Sequence, residues 1–190
     1  MKKINYKEII EIVCRLYVFF FLTVYGIGKL MGGQFYTAER MPDGLDLMPI
    51  GQVSDFNLAW VFMGRSYGYL LFIGLAEIFG AVLLLFNKTK LIGTLILIPI
   101  MVNVIVFDIF FLDEYGALAG ATLYLLMLLT ILIMNKEKIS KLLIELVSTK
   151  MISQLSFKEK LIKYALVITI IILIFTGDQL IVNFLGYGKG

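Results

Sequence analysis

Five ionisable side chains lie inside stretches of otherwise apolar sequence: Arg15 and Lys29 in the first, Glu77 in the second, Asp108 in the third and Asp178 in the last. In hydrocarbon each would cost ~2.5 to 3.5 kcal/mol on an insertion scale, so each needs a partner or a polar cavity. Arg15, Phe19, Leu22, Gly26 and Lys29 follow helical steps of three and four, which puts both cations on one face of a helix. At a rise of ~1.5 Å per residue, Arg15 and Glu77 fall at comparable depth from one side, and Lys29 and Asp108 at comparable depth from the other. Two ion pairs are therefore expected, Arg15 with Glu77 and Lys29 with Asp108. Such pairs either fix which helices meet or form a ligand or proton site. Pro99 removes a backbone bond to the carbonyl of Leu95 and is expected to kink its helix. Asn103, one turn on, shares its face, so a cavity beside a polar amide is one reading and ordinary helix packing the other. Asp178, between Gly177 and Gln179, reads as a helix-end position.

Other chemistries are excluded by residue type. The chain has no histidine and one cysteine, Cys14. No disulfide within it, no Cys-x-x-Cys redox pair and no histidine-ligated metal or haem can be built. Cys14 adjoins Arg15, which favours a thiolate, but burial opposes ionisation and the thiol reads as inert. No catalytic residue and no intrinsic cofactor are assigned. The net charge of +3 is modest, and the cations flank apolar runs instead of forming a surface for nucleic acid.

The elements that must position these residues follow from hydropathy. Of 190 residues, 60% are hydrophobic and 16% charged, against ~25% charged in an average soluble domain, and the mean hydropathy is +0.93. The sequence predicts an all-α, polytopic membrane helix bundle, a single membrane domain over 1–190. A four-helix core occupies 9–134, with apolar stretches at Ile9 to Met31, Tyr67 to Phe86, Leu91 to Phe111 and Gly116 to Met134. The first follows lysines as a signal peptide would, but it is longer than such a segment's apolar region and reads as a permanent span. An outer loop at 32–66 contains the apolar run Phe56 to Met63, read either as an interfacial helix or as part of a longer second span. Small residues at Gly74, Ala76, Gly80 and Ala81, and again at Gly116 and Gly120, are expected to allow close helix approach.

Residues 135–155 form an amphipathic segment, in which Ile139, Leu142, Leu143, Leu146 and Val147 recur at helical steps among lysines, suited to the lipid headgroups or to a partner. Ser156 and Glu159 make a capping box that opens a fifth transmembrane helix over 156–185. Lys2, Lys3, Lys7, Lys88, Lys90 and the seven lysines from Lys136 to Lys163 fall on one side of this arrangement. Cytoplasmic segments carry the excess of basic residues, so the amino terminus is expected in the cytoplasm and the carboxyl terminus outside. The lysine and isoleucine bias suggests a bacterial source, hence the inner membrane.

Arg15 to Leu30 (RLYVFFFLTVYGIGKL) resembles the first helix of the DoxX-like family of small bacterial membrane proteins, with its arginine and its glycine-then-lysine ending. Gly74 to Gly93 (GLAEIFGAVLLLFNKTKLIG) resembles that family's second helix and basic turn. LILIPIMVNVIVFDIFF, with Asn103 and Asp108, looks like its third. The likeness covers about Arg15 to Met134. It implies a four-helix fold, to which this chain adds the amphipathic segment and a fifth span, and a histidine found later in some members has no counterpart here. It also implies a non-catalytic or quinone-facing membrane subunit of a redox complex, since the named member resembles a subunit of a thiosulfate:quinone oxidoreductase. In that reading a quinone carbonyl bonds in a polar pocket beside Glu77 and Arg15, and a redox partner subunit carries the electrons; Arg15, Lys29, Glu77, Asn103 and Asp108 together are the candidate ligand or proton site. A membrane-embedded binding or assembly protein and a small proton-linked transporter or channel are the other classes open to such a sequence.

Overall fold

The structure, a computed structural model, describes residues 5–112, 115–148 and 156–185. The expectations for Lys2, Lys3 and Lys150 fall outside these residues. The chain divides into two compact units, Met1–Leu143 and Ile144–Gly190. Among the described residues every regular element is helical. Five of the described helices are long and apolar enough to cross a membrane: α1 (Tyr6–Leu30), α3 (Tyr67–Leu84), α4 (Lys90–Phe111), α5 (Tyr115–Met134) and α7 (Phe157–Leu185). This is a multi-pass membrane protein by the length and apolarity of its helices.

Between α1 and α3 lies α2 (Asp55–Gly64), a helix of its own. Ser54 accepts a bond from the Asn57 amide at its start and Ser66 one from the Tyr69 amide at the start of α3, both at 3.3 Å. Two successive N-caps within twelve residues are the local reason the chain breaks here instead of extending the second span. At ~15 Å, α2 is about half the length a span requires.

In the first unit α1, α3, α4 and α5 close a ring in that order, α5 returning to α1, while α2 rests on α3 and α4. The core between them holds Val18, Leu22, Ala81, Leu84, Leu97, Met101, Leu128 and Ile131. The outside of the ring is apolar as well, with Phe20, Phe72, Phe79, Leu95 and Ile109 exposed, a surface that suits lipid and not water. Two glycine pairs set the closest crossings. A Cβ on Gly74 would stand 2.9 Å from the Gly26 carbonyl oxygen, and one on Gly93 2.6 Å from the Gly80 carbonyl oxygen. Such contacts place α1 against α3, and α3 against α4, nearly backbone to backbone. The expectation for α5 was different: Gly116 has nothing within 4 Å of a Cβ, and Gly120 meets only Tyr124 of its own helix, so neither supports a close crossing.

α6 (Lys136–Val147) covers most of the amphipathic segment, with lysines and an aliphatic stripe on separate steps. In the second unit the capping box forms as the sequence predicts. The Ser156 amide donates to Glu159 Oε2 at 2.7 Å, and the Glu159 amide to Ser156 Oγ at 3.4 Å. Along α7 the hydroxyls of Thr169 and Thr176 donate to carbonyls one turn back, which satisfies them without a partner helix.

Candidate functional site

The antiparallel packing of α1 on α3 has a simple register. Gly26 lies opposite Gly74, and the same offset brings Arg15 opposite Leu85. Within it, Lys29 Nζ donates to both carboxylate oxygens of Glu77, at 2.9 and 2.7 Å. The pair is deeply buried, with Lys29 7% and Glu77 2% exposed. Lys29 Nζ also stands 6.0 Å from the centre of the Tyr25 ring, one turn back on its own helix. Asp108, on α4, is 4% exposed, and its Oδ2 has no hydrogen-bond partner among the described residues.

All three groups line one cavity of about 800 Å³, within the ordinary range for small-molecule sites. Every helix of the ring contributes to it, and so do the loop after α1 and α2. Its wall is largely apolar and aromatic, with Phe35, Phe56 and Trp60 from the loop and α2, and Tyr124 from α5. Phe35 packs edge-on against Trp60, and Phe56 stacks on it. Pro99 and Asn103 both line the cavity from α4, as their shared face requires. α4 runs as one helix from Lys90 through Pro99 to Phe111. One ammonium and two carboxylates thus share a mostly apolar chamber, a set that can hold a polar head group or a proton.

Arg15 is not part of this chamber. It is 6% exposed and sits at the opposite end of the ring, where it donates from Nε to Leu84 O at 2.6 Å and from one terminal nitrogen to Leu85 O at 2.7 Å. The other terminal nitrogen reaches Asn87 Oδ1 at 2.7 Å and Glu11 at 3.4 Å. With Thr89 Oγ1 bonding Leu83 O at 2.8 Å, the carbonyls of Leu83, Leu84 and Leu85 are each satisfied, and a guanidinium lies at the negative end of the α3 dipole. Glu11 also pairs with Lys90 at the start of α4, and accepts from Asn135 Nδ2, just past α5, at 2.9 Å. Four ring helices are thereby clasped at one point.

Both expected ion pairs are therefore corrected. Glu77 pairs with Lys29 and not with Arg15, and Asp108 makes no salt bridge with Lys29. The reason is the direction in which helical side chains lean, toward the amino end of their own helix. In antiparallel helices Lys29 and Glu77 lean toward each other and close an axial offset of roughly 9 Å between their backbones. Arg15 leans away from Glu77, toward Glu11. Sequence reasoning passed over Glu11, whose signal was its four-residue spacing from Arg15. It also passed over Asn87, Gln34 and Tyr124 as site or clasp residues. Among the described residues Asp178 accepts only from its neighbour Gln179, at 3.4 Å.

No family model matches the sequence, and no solved structure does. The chain is 36% identical over 124 residues to a Bacillus subtilis (strain 168) protein described as "Uncharacterized protein YwoB", a match covering 65% of this chain and 75% of that one. At that identity and coverage, the chain belongs to the same family as the Bacillus subtilis protein.

Proposed function

We propose that this protein is a DoxX-like, quinone-facing membrane subunit that binds its ligand in the ring and leaves electron transfer to partner chains. The observation that carries the reading is the cavity of about 800 Å³, apolar over most of its wall, with the Lys29 ammonium and the buried Asp108 carboxylate among its lining. An apolar chamber with few convergent polar groups suits a ring-headed, lipid-soluble molecule. Lys29 can donate to a ring oxygen, and Phe56 and Trp60 offer faces on which a ring stacks. The lysine-rich end of the ring faces the cytoplasm in this reading and the chamber opens toward the outer half of a bacterial inner membrane.

Trp60 is the only tryptophan in the sequence and lies on the cavity wall, so its fluorescence tests the proposal. Titration of the detergent-purified protein with decylubiquinone is expected to give saturable quenching. Ala121→Trp, read through Trp60 lifetime and by calorimetry, is expected to fill the chamber and remove binding. Linear, non-saturating quenching that Ala121→Trp leaves unchanged would rule the quinone reading out.

A further inference from the structure

The cavity does not end inside the ring. Phe72 on α3 and Pro99 and Asn103 on α4 line it, yet Phe72 is 69% exposed and the other two are exposed as well. It therefore reaches the outer surface between these two helices, and their register shows where. A Cβ on Gly80 would stand 2.7 Å from the Leu97 side chain, and one on Gly93 2.6 Å from the Gly80 carbonyl oxygen, so Gly80 lies level with residues 93–97. Along antiparallel helices the next turn sets Ala76 level with Pro99, and the turn after sets Phe72 level with Asn103. All four line the cavity. At the glycine crossing the two backbones meet and close the gap, and at the other end α2 rests on both helices. Between those limits Ala76 offers only a methyl group, which leaves a window.

The two sides of the window differ in chemistry. Inside the ring lie the buried Lys29–Glu77 pair and Asp108. Outside, α3 and α4 present Phe79, Leu95 and Ile109, a surface suited to lipid. Asn103 stands at the mouth, and an amide exposed on a spanning helix belongs beside a polar cavity instead of hydrocarbon. A molecule lying through the window meets polar groups at one end and lipid at the other, so it needs a compact polar head and an apolar chain. We propose that the ligand of the chamber is a long-chain amphiphile that enters sideways from the bilayer between α3 and α4, its head in the ring and its chain held in the window. The inference rests on the quinone reading for the head. It adds that the chain is recognised, against Phe72, Ala76 and Pro99.

The test uses the full chain in phosphatidylcholine vesicles and a decyl-tailed ubiquinone that carries a diazirine at the middle of its chain. Illumination is expected to label Phe72 to Gly80 of α3 and Ile96 to Phe107 of α4, and excess decylubiquinone to remove that label. Ala76→Leu, which fills the window, is expected to weaken decylubiquinone at least tenfold, while the same quinone ring without a chain keeps its affinity within twofold. Both affinities are read by quenching of Trp60, with Trp60→Phe as control. Saturable quenching without competed label on α3 or α4 overturns the window and leaves the quinone reading standing, as does an equal loss, or none, for the two ligands in Ala76→Leu. Neither competed label nor saturable quenching in the unmodified protein overturns both. The label decides the matter even if Ala76→Leu does not fold.

Discussion

Among the described residues Lys29 and Glu77 form the one buried salt bridge that joins α1 to α3, and the energetics of such pairs make a sharp prediction. Glu77→Gln leaves an ammonium buried without its counterion, a loss of about 3 to 5 kcal/mol. Adding Lys29→Met removes the stranded charge, and the double variant is expected to recover most of the stability, since replacing both members by apolar groups is often neutral. Adding Arg15→Leu should make matters worse, because it uncaps the end of α3. Thermal unfolding of the purified variants in detergent separates these outcomes; rescue by Arg15→Leu and not by Lys29→Met would contradict the pairing. The identities of the intramembrane charges were legible in the sequence, because apolar surroundings make a charge conspicuous. Their partners were not, because depth counted along the backbone ignores the lean of a long side chain. That error is largest for Lys29, Arg15 and Glu77, whose charges lie several ångströms from their Cα atoms.

The helices themselves were readable nearly to their ends. Ser156 and Glu159 announced the start of α7, and the apolar stretches of α1, α4 and α5 match the observed helices within a few residues. The separation of α2 from α3 was ambiguous, since Phe56 to Met63 is as apolar as a span and only the two serine caps divide the run. Which glycines mark crossings was also hidden, because a small-residue spacing says that a helix can be approached and not that a neighbour stands there. Gly93 and Gly116 test the distinction. Gly93→Ala forces a Cβ to within 2.6 Å of the Gly80 carbonyl oxygen and 3.1 Å of the Leu84 amide nitrogen, neither of which can rotate away. A loss of about 1 to 3 kcal/mol is expected from such overpacking. Gly116→Ala meets open space and should be neutral or stabilising by up to ~1 kcal/mol through helix propensity. Equal unfolding temperatures for the two variants would mean that α3 and α4 are not in backbone contact at this point.

The first unit is polar in its plan: one end holds the clasp of Arg15, Glu11, Lys90, Asn87 and Asn135, the other the chamber roofed by Phe35 and α2. The guanidinium and the carboxylate of the clasp are each engaged several times, whereas in the chamber Asp108 Oδ2 has no partner among the described residues. The lysines gather at the clasp end, in Lys7, Lys88, Lys90, Lys136, Lys138 and Lys141, and the loop end carries Asp43, Asp46 and Asp55. If basic segments stay in the cytoplasm, a ligand enters the chamber from the outer half of the bilayer. Cysteine labelling decides this, because Cys14 is buried and can be replaced by alanine to give a silent background. Lys88→Cys in the α3–α4 turn and Asp46→Cys in the long loop both stand at exposed positions. In intact cells a membrane-impermeant maleimide is expected to label Asp46→Cys alone, and Lys88→Cys only after the membrane is opened. The opposite pattern would turn the chamber toward the cytoplasm.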